Sequence, residues 1–296
     1  MRAWAGMSNK SRRAWPAPAK LNLFLHVTGR RPDGYHELQT LFQLLDWGDE
    51  VSIEPLDEPA IRRPRASYAV READDLVVRA AHLLQAETSC RLGARIEVKK
   101  RIPAGSGLGG GSSDAATVLV ALNRLWGCGL DIDELASIGI RLGADVPVFV
   151  RGHSALASGL GDELQPVGLG DRYYLLVFPG FSISTGDVFM HPDLPRKSSI
   201  ISLAEALKGA GRNDCEVVVN KQFPHLKQML NDLEQWGVVR MTGTGSTLFV
   251  RMSDEKTAKR TAQAIKCRYN VRAVRGVDRS PLHELLDSGG VGDLKK

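Results

Sequence analysis

The sequence has only four cysteines among 296 residues, and they lie far apart. No two of them form a CxxC pair, so the pattern argues against a zinc site or a redox couple. A chain of this length buries enough apolar surface to fold without disulfides. We therefore expect reduced thiols at Cys90, Cys128, Cys215 and Cys267.

Long apolar runs are also missing. No stretch approaches the roughly 18–20 apolar residues that span a bilayer. Residues 1–14 are basic and polar and lack the apolar centre of a secretory signal. These absences predict a cytoplasmic protein that makes no membrane contact. Residues 1–14 are then a short extension, with Met7 as an alternative start.

The charge is only modestly unbalanced, with a formal net charge of +5. Lys and Arg are scattered, and their densest cluster, at residues 62–65, contains a proline and has no nucleic-acid-binding motif beside it. A positive surface suits a polyanionic small substrate as well as it suits DNA or RNA. Charge alone therefore does not decide between them, and we expect no nucleic-acid partner.

Apolar alternation and turn residues predict a mixture of strands and helices. We expect α+β architecture in two domains, residues 1–165 and residues 166–296. The predicted strands cover 21–27, 50–54, 94–100, 173–178, 238–240 and 248–252, the predicted helices cover 76–84, 114–126 and 133–142, and 187–197 is predicted to be a loop.

Glycine is abundant in one short segment, PAGSGLGGGSSD at residues 103–114, where five glycines fall within seven residues. Each glycine costs backbone entropy on folding, so such a run makes sense where main chain must approach a ligand closely. The predicted helix that follows presents free N–H groups and a positive dipole end. Loop and helix start therefore predict an anion site, in which the hydroxyls of Ser112 and Ser113 cap the helix, touch phosphate or reach a magnesium ion.

Several phosphate-binding classes can be compared with this loop. Gly105, Gly107 and Gly110 satisfy GxGxxG, but the acid at dinucleotide spacing, Asp131, lies at a helix start rather than a strand end. GxxxxGK[ST] is absent, and so are the HRD and DFG motifs of protein kinases. The pattern favours an ATP-dependent small-molecule kinase. A loop without a ligand, a dinucleotide-dependent oxidoreductase and a nucleic-acid-binding module remain as alternatives.

The segment PAGSGLGGGSSDAAT at 103–117 resembles the phosphate-binding motif of the GHMP small-molecule kinases, which include galactokinase, homoserine kinase and mevalonate kinase. Further segments resemble the branch of that family that acts on 4-diphosphocytidyl-2-C-methyl-D-erythritol. The resemblance runs from about Trp15 to Leu286, with the motifs in the same order. These segments are PAKLNL at 18–23, RPDGYH at 31–36, LGADVPVF at 142–149, TGTGS at 242–246 and SPL at 280–282.

The resemblance implies a two-domain α+β kinase with its active site in the cleft between the domains. It implies transfer of the γ-phosphoryl group of ATP, with Mg²⁺, to the 2-hydroxyl of the cytidine-diphosphate-linked substrate, a step of the non-mevalonate route to isoprenoid precursors. We expect a monomer or a weak homodimer. Another GHMP kinase, acting on a sugar or on homoserine, is the nearest alternative.

The resemblance also assigns catalytic roles. Asp145 is the expected general base, since a tertiary hydroxyl needs a carboxylate within reach of its proton. From the sequence alone, an Asp before a Pro-containing turn could equally be a helix cap. Lys20 is expected to pair with Asp145, and Asn22, two residues along the same strand face, to contact the substrate. An edge-strand lysine is the alternative for Lys20.

The cytosine is expected to be held by aromatic residues. By resemblance, Tyr35 stacks on the base, His36 hydrogen-bonds to it, Phe189 lies on its opposite face and Thr185 lies nearby. Ordinary packing is the alternative for Phe189.

For the nucleotide, the family commonly has Asn where this sequence has Asp75. An ionised aspartate only accepts hydrogen bonds, so a donor to an adenine ring nitrogen would be lost or replaced by backbone. Lys100 resembles a residue near the nucleotide, although a solvent-facing position is the alternative. The full set of expected nucleotide contacts is Asp75, Lys100, Pro103, Ala104, Gly105, Ser106, Gly107, Leu108, Gly109, Gly110, Gly111, Ser112 and Ser113. No side-chain metal cluster is expected.

Overall fold

A computed structural model describes residues 13–64 and 70–288 of the chain. Almost all of the predicted extension, with Met7, therefore lies outside the described residues. None of the helices in the described part is both long and apolar enough to cross a membrane.

The described residues form ten strands and ten α-helices, with short 3₁₀ turns at Glu72–Asp74 and Glu234–Trp236. The strands are β1 Arg13–Arg30, β2 His36–Leu56, β3 Ile61–Arg62, β4 Gly93–Lys99, β5 Ala155–Ser158, β6 Glu163–Pro166, β7 Arg172–Phe178, β8 Val239–Met241, β9 Leu248–Met252 and β10 Asn270–Val277. The helices are α1 Leu76–Thr88, α2 Gly110–Trp126, α3 Ile132–Gly139, α4 Val146–Arg151, α5 Thr185–Met190, α6 Leu203–Leu207, α7 Cys215–Gln222, α8 Pro224–Leu233, α9 Glu255–Ile265 and α10 Pro281–Asp287.

One sheet runs through the whole molecule in the order β3-β4-β2-β10-β7-β9-β8, with β1 and β5 also paired to β2. The pairs are antiparallel except β3 with β4. The last strand, β10, lies between β2 and β7, so the end of the chain joins its two halves. The predicted α+β architecture is confirmed.

Two main hydrophobic cores cover this sheet. The first packs α1, α2 and α4 against β2 and β4, and it also takes Leu282 from α10. The second packs α7, α8 and α9 against β7 and β9, and it takes Leu25 and Val27 from β1. Each core thus contains residues from the other end of the chain. The division at residues 165 and 166 stays a prediction.

The first strand is much longer than predicted and is interrupted by irregularities. Its register with β2 shifts at three places, two of which flank Lys20 and Asn22. At these places its N–H groups bond outside the sheet: that of Lys20 reaches the Leu108 carbonyl at 3.0 Å, and that of Leu25 reaches the Arg212 carbonyl at 2.9 Å. The strand therefore joins the glycine loop to the second half of the molecule.

Among the predicted elements that differ from the structure, two bear on the site. Helix α2 begins at Gly110 rather than Asp114, with Gly109 in the left-handed region as its N-cap. The predicted loop 187–197 begins with helix α5. That helix is capped by Ser184 and anchored by the fully buried Val188. The prolines near the end of the segment obscured it.

Candidate active site

A cavity of about 750 Å³ lies where the two halves of the molecule meet. The glycine loop and the start of α2 form one wall, and β1 contributes Lys20 and Asn22. Asp145 closes one side, while Thr185 and Phe189 come from α5 in the second half. The sheet and the loops thus bring together residues from four separate stretches of the chain.

The glycine loop is shaped by close contacts that a side chain would prevent. A Cβ at Gly107 would lie 2.1 Å from the Thr242 carbonyl, and one at Gly109 would lie 2.9 Å from the ring of Phe149. Both glycines have positive φ, 76° and 74°. Gly109 is the N-cap of α2, and no side chain caps this helix end. The first N–H groups of α2 are therefore open to an anion from the cavity.

Lys20 and Asp145 form an ion pair at the cavity, with Nζ and Oδ2 3.2 Å apart. The lysine side chain is 4% exposed and the aspartate 35%, so the carboxylate faces the open space. Lys20 Nζ also donates to Asn22 Oδ1 at 2.5 Å, and Asn22 Nδ2 donates to the Thr40 hydroxyl at 2.9 Å. A buried lysine thus holds an accessible carboxylate in place, and its own position is fixed by Asn22.

The residue Asp145 immediately precedes helix α4, yet its side chain does not cap that helix. Its backbone instead lies in the αR region, with φ −81° and ψ −11°. This conformation leaves the carboxylate free to turn toward Lys20. The alternative interpretation, a helix cap, is therefore not what the geometry shows.

The second glycine turn, residues 242–246, packs against the first. The Thr242 hydroxyl accepts the Asn22 N–H at 2.9 Å and donates to the Gly107 carbonyl at 3.3 Å. Asn213 fixes the turn from behind, since its Nδ2 donates to the carbonyls of Met241 and Gly243 at 2.8 and 2.7 Å. Both glycine segments and β1 therefore form one hydrogen-bonded unit.

Family profiles match both halves of the chain. The profile described as the GHMP kinases N terminal domain matches residues 75–153, and that described as GHMP kinases C terminal matches residues 190–271. The 4-diphosphocytidyl-2-C-methyl-D-erythritol kinase of Halorhodospira halophila is 52% identical over 275 residues, which are 92% of this chain and 96% of that protein. The chain belongs to the GHMP kinase family, in the branch of the 4-diphosphocytidyl-2-C-methyl-D-erythritol kinases. It is a small-molecule kinase.

Solved structures agree with this assignment. A crystal structure of 4-(cytidine 5'-diphospho)-2C-methyl-D-erythritol kinase superposes on this kinase with a TM-score of 0.77 and 34% identity. That match covers 90% of this chain and all of the other. A homoserine kinase from Cytophaga hutchinsonii gives a TM-score of 0.65 at 16% identity and covers 94% of this kinase and 98% of its own chain. The second likeness shows the fold alone.

The expected adenine residue Asp75 is buried in this kinase and engaged on two sides. Its Oδ1 accepts the Val77 N–H at 3.0 Å, so Asp75 is the N-cap of α1. Its Oδ2 forms an ion pair with the guanidinium of Arg63, whose Nη2 donates to the Val70 carbonyl at 2.8 Å. An Arg therefore supplies donors beside the carboxylate that replaces the family's Asn.

Lys100 is not solvent-facing. Its Nζ lies 2.7 Å from Asp114 Oδ2 and also pairs with Asp49. Burial raises the pKa of Asp114 to about 7, with Lys100 opposing that rise and Asp49 adding to it. Although burial works to lower the pKa of Lys100, the two carboxylates hold it above its ordinary value. Asp49 Oδ1 accepts the Ile102 N–H at 2.8 Å and so anchors the entry to the glycine loop.

On the cytosine side, the ring of His36 lies 5.4 Å from that of Phe189, tilted by 31°. Arg196 donates to His36 Nε2 at 3.1 Å and to the Phe189 carbonyl at 3.2 Å. Burial, followed by the charges of Arg196 and Arg30, lowers the pKa of His36. Because the Arg196 guanidinium can only donate, Nε2 of His36 is the acceptor and Nδ1 is left as the ring donor.

The structure brings most of the predicted site residues to the cavity wall, but not all of them. Tyr35 is 66% exposed and does not line the cavity, and His36 reaches it only through Phe189. Leu108 and Ser113 are buried behind the loop. The predicted residues that line it are Lys20, Asn22, Asp75, Lys100, Pro103, Ala104, Gly105, Ser106, Gly107, Gly109, Gly110, Gly111, Ser112, Asp145, Thr185 and Phe189.

Sequence reasoning missed residues that hold these groups in place. Asp49, Arg196 and Asn213 contact the site only through other residues, so no local motif marks them. Thr244, whose hydroxyl lies 3.0 Å from that of Thr185, lines the cavity from within the second glycine turn. The spacing of the hydroxyl residues in the TGTGS segment was the sequence signal that could have indicated Thr244.

Oxygen donors at the phosphate end suit a magnesium ion. Within the described residues, no group of three or more His, Cys, Asp or Glu side chains is arranged to hold a metal. The Ser112 hydroxyl and the Asp114 and Asp145 carboxylates nevertheless line the cavity, and Asp114 Oδ1 has no hydrogen-bond partner. Mg²⁺ prefers one or two such oxygens together with waters and phosphates. The residues therefore fit a magnesium ion that is bound chiefly by ATP.

Proposed function

We propose that this kinase transfers the γ-phosphoryl group of ATP to the 2-hydroxyl of 4-diphosphocytidyl-2-C-methyl-D-erythritol. The products are the 2-phosphate and ADP, and the step belongs to the non-mevalonate route to isoprenoid precursors. The observation that carries the proposal is the Lys20–Asp145 pair, whose accessible carboxylate opens onto the same cavity as the glycine loop.

Asp145 acts as the general base. It accepts the proton of the substrate hydroxyl as the oxygen attacks the γ-phosphorus and the bond to the ADP oxygen breaks. A positioned base of this kind contributes about 10²–10⁴-fold to the rate. Lys20 orients the carboxylate and stabilises negative charge that develops on the attacking oxygen. Asn22, bonded to Lys20, contacts the substrate.

The glycine loop and the start of α2 hold the β- and γ-phosphates. Backbone N–H groups of a loop and helix start fixed by the fold need little reorganisation when charge develops, and electrostatic preorganisation of this kind dominates phosphoryl transfer. Mg²⁺, when bound, offsets part of the phosphate charge. Ser112 and Asp114 would contribute its protein oxygens.

Adenine binding involves the pair Arg63–Asp75. The carboxylate can accept from the adenine amino group, while the neighbouring guanidinium provides the donor that the family's Asn would supply. We therefore assign to these two residues together the role that a single Asn has in relatives. Lys100 lies near the phosphates and balances the two carboxylates beside them.

Cytosine is recognised by His36 and Phe189. The neutral His36 presents its Nδ1–H to an acceptor on the base, and Phe189 covers one face. Thr185 lies at the same end of the cavity. Tyr35, exposed beside His36 in the absence of substrate, stacks on the other face when the base is bound.

An ADP-release assay tests the proposal directly. The protein is incubated with ATP and Mg²⁺, and the cytidine-diphosphate substrate is compared with mevalonate, homoserine and galactose. We expect turnover with the cytidine substrate alone. Equal or faster turnover with one of the simpler alcohols would show that the chain is a different GHMP kinase.

The quaternary state and location remain predictions. We expect a monomer or weak homodimer in the cytoplasm, without nucleic-acid or membrane partners. Light scattering of the purified protein measures whether it is a monomer or a dimer.

A further inference from the structure

A second large cavity lies on the sheet of the second half, on the face opposite its hydrophobic core. Side chains alternate along the strands, so Leu175, Val250 and Met241 point into the second core. Their neighbours on the strands point the other way and line this cavity, whose volume is about 550 Å³. Segment 206–210, at the end of α6, and β1 residues Leu23 and Phe24 complete its wall.

Four cations line this cavity, which we call the basic pocket: Arg172, Lys208, Arg240 and Arg251. No Asp or Glu of the described chain lines it with them. Glu216, which attracts Arg240, accepts the Met241 N–H and does not line the pocket. Four like charges around one concavity repel one another, and an anion bound between them would remove that repulsion.

Two of these cations are fixed and two are available. Arg240 donates to the carbonyls of Leu23 and Gly209 at 2.6 and 2.7 Å, and Arg172 donates to the Leu169 carbonyl at 3.1 Å. A guanidinium has five N–H donors, so each Arg keeps donors for a ligand. Neither Lys208 nor Arg251 makes a side-chain hydrogen bond or ion pair with any residue in 13–64 or 70–288. The pocket thus combines preorganised donors with free charges.

Apolar surface adjoins the charges. Leu23 and Met252 belong to the wall, and Val238 lines the rim with 72% of its surface exposed. Cavities of roughly 300–1,000 Å³ with a few convergent polar groups hold small ligands, whereas nucleic acid needs an extended surface. The size and the mixed lining therefore favour a small amphipathic anion over a polymer.

We propose that the basic pocket binds an organic diphosphate, with the diphosphate between the four cations and the organic part against Leu23 and Val238. Arginine pairs well with phosphate oxygens because its fork of donors can bind two at once. A diphosphate also offers enough oxygens to reach cations on opposite walls. None of the four cations lines the active-site cavity, so this is a separate site.

Calorimetric titration of the whole protein tests the proposal. The active site is first saturated with a non-hydrolysable ATP analogue and CDP, so that only binding elsewhere is measured. Geranyl diphosphate, ADP, inorganic diphosphate and geraniol are then titrated in turn. We expect geranyl diphosphate to bind with one site per chain and geraniol not to bind. The titration with ADP, compared with that of geranyl diphosphate, shows whether the pocket binds the diphosphate of a nucleotide or that of an alkyl chain.

Variants locate the binding. Lys208→Gln combined with Arg251→Gln should weaken binding at least tenfold, whereas Lys227→Gln combined with Arg260→Gln, which removes the same charge elsewhere, should leave it unchanged. Thermal unfolding of both variants checks that they fold. The proposal is overturned if no diphosphate binds, if both double variants bind equally, or if only a polyanion such as heparin binds. Because the active site is blocked, these outcomes do not depend on the proposed kinase substrate.

Discussion

Two lysine–carboxylate clusters flank the glycine loop, and they differ in burial. In the first, Lys20 is buried and its partner Asp145 is 35% exposed, facing the cavity. In the second, Lys100 bridges Asp49 and Asp114, whose side chains are 0% and 5% exposed. The same residue types therefore occur once with a carboxylate that is well exposed and once with two that are almost fully shielded, of which Asp114 still lines the cavity.

The difference separates chemistry from positioning. In the proposed mechanism a carboxylate must reach the substrate hydroxyl to accept its proton, and the exposure of Asp145 beside Lys20 suits that role. The shielded carboxylates instead position neighbouring groups: Asp49 accepts the Ile102 N–H at the entry to the glycine loop, and Asp114 accepts from Lys100. The proposed mechanism therefore distinguishes the base from the positioning carboxylates by exposure rather than by residue type.

The largest expected effect is on the accessible carboxylate. Asp145→Asn should lower turnover by at least ~10²-fold while nucleotide affinity stays close to that of the parent, because the loop N–H groups are untouched. Steady-state kinetics and nucleotide titration measure the two quantities. Asp133→Asn, at a surface ion pair with Arg151, is the matched control. Near-parental turnover of the Asp145 variant would contradict the assignment of the exposed carboxylate as the general base.

A substitution in the buried cluster of Lys100, Asp49 and Asp114 should lower the free energy of unfolding. Asp49→Asn leaves an acceptor for the Ile102 N–H but removes one of the two charges beside Lys100. We expect a loss of about 2–3 kcal/mol in the free energy of unfolding, somewhat below that for a fully unpaired buried charge. Denaturant unfolding measures it. Glu50→Gln, which affects the exposed pair with Arg101, should change stability far less. Equal losses would contradict a special role for burial.

A third pair, Arg63–Asp75, extends the comparison, since the Asp75 side chain is buried at the cavity wall and its partner Arg63 is only 11% exposed. Asp75→Asn keeps the acceptor that caps α1 and removes only the charge. We therefore expect ATP affinity to change by only a few-fold, as for a positioning residue. Indistinguishable affinities would remove any part for this charge in adenine binding. Arg63→Gln tests the partner in the same titration.

The smallest expected effect is on the protonation of Asp114 when nucleotide binds. Asp114, with its pKa raised to about 7, is roughly half protonated at neutral pH, and Lys100 and Asp49 are the charged groups that face it. Phosphates bound at the start of α2 without Mg²⁺ should raise this pKa further, so binding of the metal-free nucleotide takes up at most about half a proton at pH 7 and almost none at pH 5. Calorimetry in buffers of different ionisation enthalpy measures the uptake. Asp114→Asn should abolish it; uptake that persists would assign the proton to another group.

Local patterns predicted much of the fold and the phosphate site. The existence of α1 and of the strand over residues 94–100 follows from nearest neighbours in sequence, and so does the proposal that residues 103–113 bind phosphate. The existence of α5 did not, because it depends on the packing of Val188 into the second core. Arg196 and Asn213 were missed because each acts on groups far along the chain.

The sequence by itself determined the candidate phosphate site, since a run of glycines before a helix marks backbone donors that belong to one stretch of the chain. Only the tertiary structure decided which carboxylate meets Lys20 and how far each is shielded from water. The register shifts of β1 and the backbone conformation at Asp145 set the distance between Lys20 and the Asp145 carboxylate. Burial set which charged groups stay accessible from the cavity. Proximity and desolvation depend on the whole packed chain, whereas hydrogen-bonding capacity belongs to each residue.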